Sequence, residues 1–151
     1  MVTVRTILER KGAEVISINS KASVLEAAQK MNDRRIGSLV VVEGDRVIGI
    51  LTERDILRRV TAAERDPRRT MTHEIMTSPV ACCRLETTLD ECRAVMTERR
   101  IRRLPVVEEG ELRGIITSGD ILAYDLKEHQ NTISYLNEYL QSSSTPHGAD
   151  V

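Results

Sequence analysis

The sequence predicts an α+β fold of the two-layer α/β type, in which two β-α-β-β-α repeats pack as a pseudo-twofold pair and a helix follows. Three observations lead to this prediction. The phrase GILTERDIL at residues 49–57 returns as GIITSGDIL at 114–122. The offset of 65 residues holds without a gap upstream to residue 23. Each copy alternates strand-like and helix-like apolar patterns, and two copies are too few for a solenoid.

Each repeat begins with a short apolar strand, at 15–18 in the first copy and at 80–83 in the second. A helix follows, because Ser23-x-x-Glu26 and Thr88-x-x-Glu91 have the spacing of a capping box. The first helix places Val24 and further apolar residues on one side, with charge on the other. The pattern is typical of a helix that covers a sheet.

A strand hairpin and a second helix complete each repeat. An apolar run at 39–42 leads to the turn Glu43-Gly44-Asp45, and the return strand covers 47–51. Thr52 then starts the second helix, which continues past Val60. In the second copy this helix runs from Leu122 to about residue 141 with helical apolar spacing. Its apolar face either covers a dimer interface or packs within the chain, and both interpretations remain open.

The predicted organisation is a first repeat over 3–60, a linker over 61–72, a second repeat over 73–128, a C-terminal helix over 129–142 and a disordered tail over 143–151. The linker is rich in Arg and Glu, contains Pro67, and is predicted to be exposed.

Composition excludes several functions. The net charge is −1 and aromatic residues make up 2 %, which disfavours binding to nucleic acid or to an anionic membrane. No apolar run approaches the ~20 residues of a membrane span, and the start of the chain lacks the apolar block of a signal peptide. We therefore expect a cytoplasmic protein.

The titratable residues predict neither an enzyme nor a metal site. The three cysteines are an odd number without C-x-x-C spacing, so a disulfide framework and a zinc site are not expected. Small core residues in a reducing cytosol are one interpretation, and a redox-sensitive thiol is the alternative for Cys82 and Cys83. No nucleophile–base arrangement is visible, so we predict no catalytic residues and no metal.

The duplicated phrase has a specific chemistry at a strand-to-helix junction. Thr52 and Thr117 would be N-cap residues, with Asp55 and Asp120 in the first turn on the same face. Free N–H groups at a helix start attract phosphate, and an ionised carboxylate accepts hydrogen bonds from the vicinal hydroxyls of a ribose. The phrase therefore favours a nucleotide site, and a plain capping box is the alternative.

The chain resembles the tandem CBS domain, the regulatory repeat named after cystathionine β-synthase. The resemblance rests on SVLEAAQKM…IGSLVVVEGDRVIGILTERDIL and on EIMTSPV…TLDECRAVMTERRIRRLPVVEEGELRGIITSGDIL, and it covers roughly residues 3–128. It resembles small stand-alone bacterial proteins of this kind. The resemblance implies two clefts between the repeats that hold AMP, ADP, ATP or, less often, S-adenosylmethionine or NAD(H). It also implies a homodimer shaped as a flat disc.

The resemblance also implies which residues bind the nucleotide. In the preferred cleft Asp120 would hold the ribose, Thr117 and two arginines the phosphate, and the opposite repeat the base: Thr117, Asp120, Arg102, Arg103, Ile16, Ile36, Gly37 and Ser38. In the second cleft the corresponding set is Thr52, Arg54, Asp55, Thr77, Pro79, Val80 and Ile101.

The repeats differ where phosphate would bind. Arg102 and Arg103 correspond to Gly37 and Ser38, so the first repeat has no matching cations unless Arg54 replaces them. We therefore expect the Asp120 cleft to bind better. A solvated basic cluster is the alternative for the arginines.

The function predicted from these residues is a non-catalytic module that senses adenine nucleotides, AMP first, and modulates a partner protein of unknown identity. No cofactor is required for such a role. The alternative is a ligand-free scaffold that binds partners or a second copy through its C-terminal helix.

Overall fold

A computed structural model describes residues 1–143, and these form two similar units and one long terminal helix. The tail predicted over 143–151 lies, apart from its first residue, outside the described residues. The fold class predicted from the repeat is confirmed, with small sheets covered by helices and a helix at the C-terminal end.

The first unit is a three-stranded sheet with one helix against it. Helix α1 (Val4–Lys11) precedes β1 (Ser17–Asn19), α2 (Val24–Arg34), β2 (Ser38–Glu43) and β3 (Arg46–Thr52). Strand β1 is parallel to β2, and β2 is antiparallel to β3. The Ser23 hydroxyl caps α2 by accepting a hydrogen bond from the Glu26 N–H, 3.1 Å away. After β3 a short helix, α3 (Glu53–Ile56), continues into a π-helical turn over Leu57–Thr61.

The second unit repeats this plan at the same offset. Helix α4 (Thr72–Ile75) is followed by α5 (Leu89–Arg99), β4 (Arg103–Glu108) and β5 (Glu111–Thr117). A β-bulge lies between Val41 and Val42 in the first hairpin and between Val106 and Val107 in the second. The agreement of the two bulges shows that the repetition extends to backbone geometry.

The units exchange their leading helices. Val4, Ile7 and Leu8 of α1 are buried in the core of the second unit, together with residues of α5, β4 and β5. Ile75 of α4 is buried in the core of the first unit. Strands β3 and β5 lie against each other between the two cores. Each core is therefore completed by a helix that precedes the other unit in the chain.

Three local predictions need correction. The strand predicted at 80–83 is reduced to one bridge, between Cys83 and Val106, because the chain upstream pairs with the other unit at Thr77 and Ile50. The second helix of the first unit is not regular throughout, since its later part is the π-helical turn. The linker is mostly exposed, but Thr70 and Thr72 are buried because the segment packs on the start of α2.

Helix α6 (Ser118–Ser143) is 26 residues long and starts at the second duplicated phrase. All residues from Leu126 to Gln141 are exposed. Within the described part of the chain, none of the helices combines the length and the apolar character that a bilayer crossing requires.

Candidate functional site

Both strand–helix junctions form the hydrogen bonds of a capping box. At the first junction the Thr52 hydroxyl accepts from the Asp55 N–H (3.2 Å), and the Asp55 carboxylate accepts from the Thr52 N–H (2.9 Å). At the second junction the same two bonds, between Thr117 and Asp120, measure 3.1 and 2.9 Å. The duplicated phrase is thus a cap in both units, and each aspartate keeps acceptor capacity for further donors.

The two aspartates differ in their next partner. The Asp55 carboxylate is buried and accepts a hydrogen bond from the Thr77 hydroxyl, 3.0 Å away. The Asp120 carboxylate is partly exposed and forms an ion pair with Lys11, whose Nζ lies 2.7 Å away. Neither contact was predicted. A neutral donor therefore meets one carboxylate and a cation meets the other.

A cavity of about 550 Å³ lies beside the first junction, between the units. This volume is in the range of small-molecule sites. Its wall is contributed by both repeats: Gly37, Ile50, Thr52, Glu53, Arg54, Thr77, Pro79, Val80, Ala81, Arg100, Ile101, Arg102 and Arg103. Apolar side chains and threonine hydroxyls therefore face the same space as several guanidinium groups.

The cavity brings together most residues predicted for the second cleft. Those on its wall are Thr52, Arg54, Thr77, Pro79, Val80 and Ile101. Asp55 is not on the wall, because it is buried behind the two threonines to which it is hydrogen bonded.

The residues predicted for the preferred cleft are divided between different places. Arg102, Arg103 and Gly37 line the cavity beside Thr52. Ile36 lines a neighbouring hollow of about 490 Å³ that also borders Gly37. Thr117 and Asp120 form the other junction.

Two further residues from the preferred-cleft prediction belong to the first unit's sheet and core. Ile16 packs against the core of that unit, and Ser38 is paired with Thr52 across the β2–β3 hairpin. The structure thus places Ser38 at the first junction and not beside Asp120.

Backbone hydrogen bonds explain part of this grouping. The Gly37 carbonyl accepts from the Glu53 N–H (3.1 Å), and the Arg102 carbonyl accepts from the Ser118 N–H (2.9 Å). The residue directly before β2 and the residue directly before β4 are therefore each hydrogen bonded to the junction of their own unit. Gly37 has no side chain, and a Cβ there would lie 3.2 Å from the Glu53 side chain. The wall is close-packed at this point.

The wall is strongly basic although the whole chain has a net charge of −1. It carries four arginines, at positions 54, 100, 102 and 103, and a single carboxylate, Glu53. Within residues 1–143 none of these four guanidinium groups forms an ion pair, whereas Arg5, Arg65 and Arg93 do. Unpaired guanidinium groups on a concave surface are suited to phosphate or carboxylate ligands.

Sequence reasoning missed Ile50, Glu53, Ala81 and Arg100 on the wall, and it missed Lys11 at Asp120. Arg100 is the C-cap of α5 with φ of 54°, a left-handed conformation shared by Arg35 at the end of α2. Its position directly before Ile101, which was predicted to line this cleft, could have indicated Arg100. No sequence signal links Lys11 to a residue 109 positions away.

The thiols lie outside this cavity. Cys83 and Cys92 are buried in the second core, while Cys82 is exposed. Hydrogen bonding to Cys92, together with burial, raises the pKa of the Cys83 thiol, and partial burial raises the pKa of the Cys82 thiol. Both thiols are therefore mostly protonated at neutral pH, which makes them weak nucleophiles.

Two interlocked units of similar topology with a cavity between them define a tandem-repeat module. The family model of the CBS domain matches residues 4–62 and 73–127, which together are most of the chain. The chain therefore belongs to the CBS domain family.

Proteins of similar sequence occur in other organisms. Protein MK0525 of Methanopyrus kandleri is 38 % identical over 111 residues, which are 72 % of this chain and 57 % of that protein. The chain thus spans little more than half the length of this relative.

Solved structures of CBS-domain proteins are also similar to this chain. A CBS-domain protein of Burkholderia ambifaria, proposed to act in signal transduction, is 39 % identical, with a TM-score of 0.78 over 83 % of this chain and 95 % of its own. The hexameric CBS-CP12 protein of bloom-forming cyanobacteria is 31 % identical, with a TM-score of 0.69 over 81 % and 70 %.

Proposed function

We propose that the cavity beside Thr52 binds an adenine nucleotide (AMP, ADP or ATP) and that this binding regulates a partner protein without catalysis. The observation that supports the proposal is the composition of the cavity wall. Ile50, Pro79, Val80 and Ile101 offer apolar surface to a base, and the four arginines offer cations to phosphates. The Thr52 and Thr77 hydroxyls, backed by Asp55, are suited to a ribose.

This proposal places the first nucleotide beside Asp55 and not in the Asp120 cleft that the sequence favoured. The reason is that Arg102 and Arg103, on which that preference rested, line the Thr52 cavity. AMP remains our first candidate. ADP and ATP are close alternatives, because the four arginines can bind more than one phosphate. S-adenosylmethionine is less suited, since its sulfonium cation would meet four guanidinium groups. NAD(H) is a further ligand to test.

The test is titration calorimetry of the full chain with AMP, ATP, NADH, S-adenosylmethionine and adenosine. Arg102→Ala should weaken AMP and ATP binding by about tenfold or more, since a charge-assisted hydrogen bond is lost, and should leave adenosine binding nearly unchanged. Arg46→Ala is the matched control, because Arg46 is exposed at the far end of β3. Bound ligand should also raise the melting temperature.

Two results would contradict the proposal. One is the absence of binding by all five compounds, which would favour the scaffold alternative. The other is equal affinity of AMP for Arg102→Ala and for the wild type, which would show that the phosphate does not bind in this cavity.

We further propose that the chain self-associates through α6, as a homodimer or a higher assembly. Leu122, Leu126, Ile133 and Leu136 are all at least half exposed, and with His129 they follow the 4-3-4-3 spacing of a coiled-coil seam. A second copy fits this seam because the flanking positions bring no like charges together: Ala123, Gln130 and Asn137 are neutral, and Asp125 is paired with Arg93 at 2.6 Å. The hexameric assembly of the CBS-CP12 neighbour is consistent with self-association.

A further inference from the structure

We infer that Lys11 makes the two clefts unequal by occupying the carboxylate of Asp120, so that the Asp120 cleft accepts a nucleotide only when Lys11 moves away. This inference rests on the proposed nucleotide function and assigns a specificity-determining role to a residue outside the duplicated phrases.

The contact is short and partly shielded from solvent. Lys11 Nζ lies 2.7 Å from Asp120 Oδ2, and the two side chains are 29 % and 22 % exposed. The same oxygen accepts a hydrogen bond from the Thr117 N–H at 2.9 Å. One of the two carboxylate oxygens is therefore already shared between two donors. A ribose that offers one hydroxyl to each oxygen must compete with Lys11 for this position.

The other cleft presents no such competition. Asp55 Oδ1 accepts from the Thr77 hydroxyl at 3.0 Å. Because Asp55 lies behind Thr52 and Thr77, a ribose in this cavity meets these two neutral hydroxyls, which rotate freely, and displaces no cation. At Asp120 the ribose would displace an ammonium group, and with it the attraction between two opposite charges that a neutral hydroxyl does not replace. The two clefts, equal in their caps, are therefore unequal for a neutral diol.

The backbone of Lys11 is held in place, so only its side chain needs to move. Lys11 is the last residue of α1, whose residues Ile7 and Leu8 are buried in the second core. Its neighbour Arg10 lies over the ring of Tyr124, 4.9 Å from the ring centre, and pairs with Glu128 at 3.8 Å. Both of these contacts are to α6, the helix that carries Asp120. The backbone of Lys11 is thus fixed beside Asp120, and its flexible side-chain stem is the part that can move.

The consequence is an order of filling. The cavity beside Thr52 binds nucleotide first, and the Asp120 cleft binds second and more weakly. Removing the ammonium group of Lys11 should reduce this difference in nucleotide affinity between the two clefts.

The experiment is AMP titration by calorimetry with three variants of the full chain. Lys11→Met keeps a long apolar side chain but removes the charge, and it should reveal or tighten a second binding step by up to about tenfold, as expected for the loss of a partly shielded ion pair. Lys11→Arg keeps the cation and should behave as the wild type. Lys21→Met is the matched control, because Lys21 is exposed in the loop before α2. Asp120→Ala added to Lys11→Met should remove the second step.

The outcomes separate this inference from the proposed function. If Lys11→Met keeps the first binding step of the wild type and its second binding step is unchanged or weaker, the Lys11 inference alone is overturned. A weaker second step would indicate that Lys11 binds the phosphate. A second step that survives in Lys11→Met/Asp120→Ala also overturns it. The absence of any step in the wild type and in all variants overturns the nucleotide function together with this inference.

Discussion

At the scale of single residues, the glycines of the duplicated phrase are explained by the exchanged helices. Gly49 lies against Met76, in the residues that follow α4, and Gly114 lies against Leu8 of α1. A Cβ at Gly114 would be 2.8 Å from a Leu8 methyl carbon, closer than packed side chains allow. The glycine therefore recurs because the leading helix of the other unit, or the residues directly after it, lie against each strand at the same place.

Gly49→Ala should destabilise the protein. The added Cβ would overlap the Met76 side chain and lie 3.1 Å from the Thr77 carbonyl oxygen, whose backbone is hydrogen bonded to Ile50 and cannot move freely. We expect the free energy of unfolding to fall by about 1–3 kcal/mol, the usual cost of overpacking. Urea denaturation measures the change.

Gly119→Ala is the control for this prediction. Gly119 is in the first turn of α6, where the nearest atom to an added Cβ is 3.6 Å away. Alanine is a better helix former than glycine, so this variant should be as stable as the wild type or more stable. Equal stability of the two alanine variants would contradict the close approach at Gly49.

At the scale of elements, α6 has one packed end and one exposed end. Its first turns contact α1 and α5 through Tyr124 and Asp125, and the residues that follow are exposed. Helices in proteins gain most of their stability from the packing of an apolar face. A helix with an exposed leucine and isoleucine seam therefore favours a partner along that seam, and the sequence pattern fits a second copy.

Ile133→Glu should weaken self-association by more than about tenfold, because two copies would bring two carboxylates into an apolar seam. Sedimentation velocity over a range of concentrations measures this, and circular dichroism checks that the helix remains. Asn131→Glu adds the same charge on the opposite side of the helix and should associate as the wild type. A wild-type association constant for Ile133→Glu would exclude α6 as the interface.

At the scale of the whole molecule, the helix exchange makes the two units one folding unit. The predicted first repeat, 3–60, contains α1, but α1 contributes Val4, Ile7 and Leu8 to the core of the second repeat. Loss of α1 would expose apolar surface in the opposite half of the molecule.

Ile7→Ala should lower the free energy of unfolding by about 2–5 kcal/mol, the range for removing a large buried aliphatic side chain. Glu9→Ala in the same helix is the control, since Glu9 is exposed and its replacement should change stability by less than about 0.5 kcal/mol. Urea unfolding followed by circular dichroism compares the two. Similar stabilities would show that α1 is not part of the second core.

The repeat, the caps and the helix–strand–strand–helix order that follows each cap were determined by the sequence itself, because they depend on local spacing within each copy. Helices α1 and α4 and the loss of the strand at 80–83 were not predicted. Thr52 with Asp55 and Thr117 with Asp120 could be predicted as pairs because their members are three positions apart. Only the tertiary structure decided which unit α1 completes, which arginines share a cavity with Thr52, and that Lys11 meets Asp120. These contacts join residues far apart in the chain, and their geometry follows from how the two units pack rather than from any local pattern.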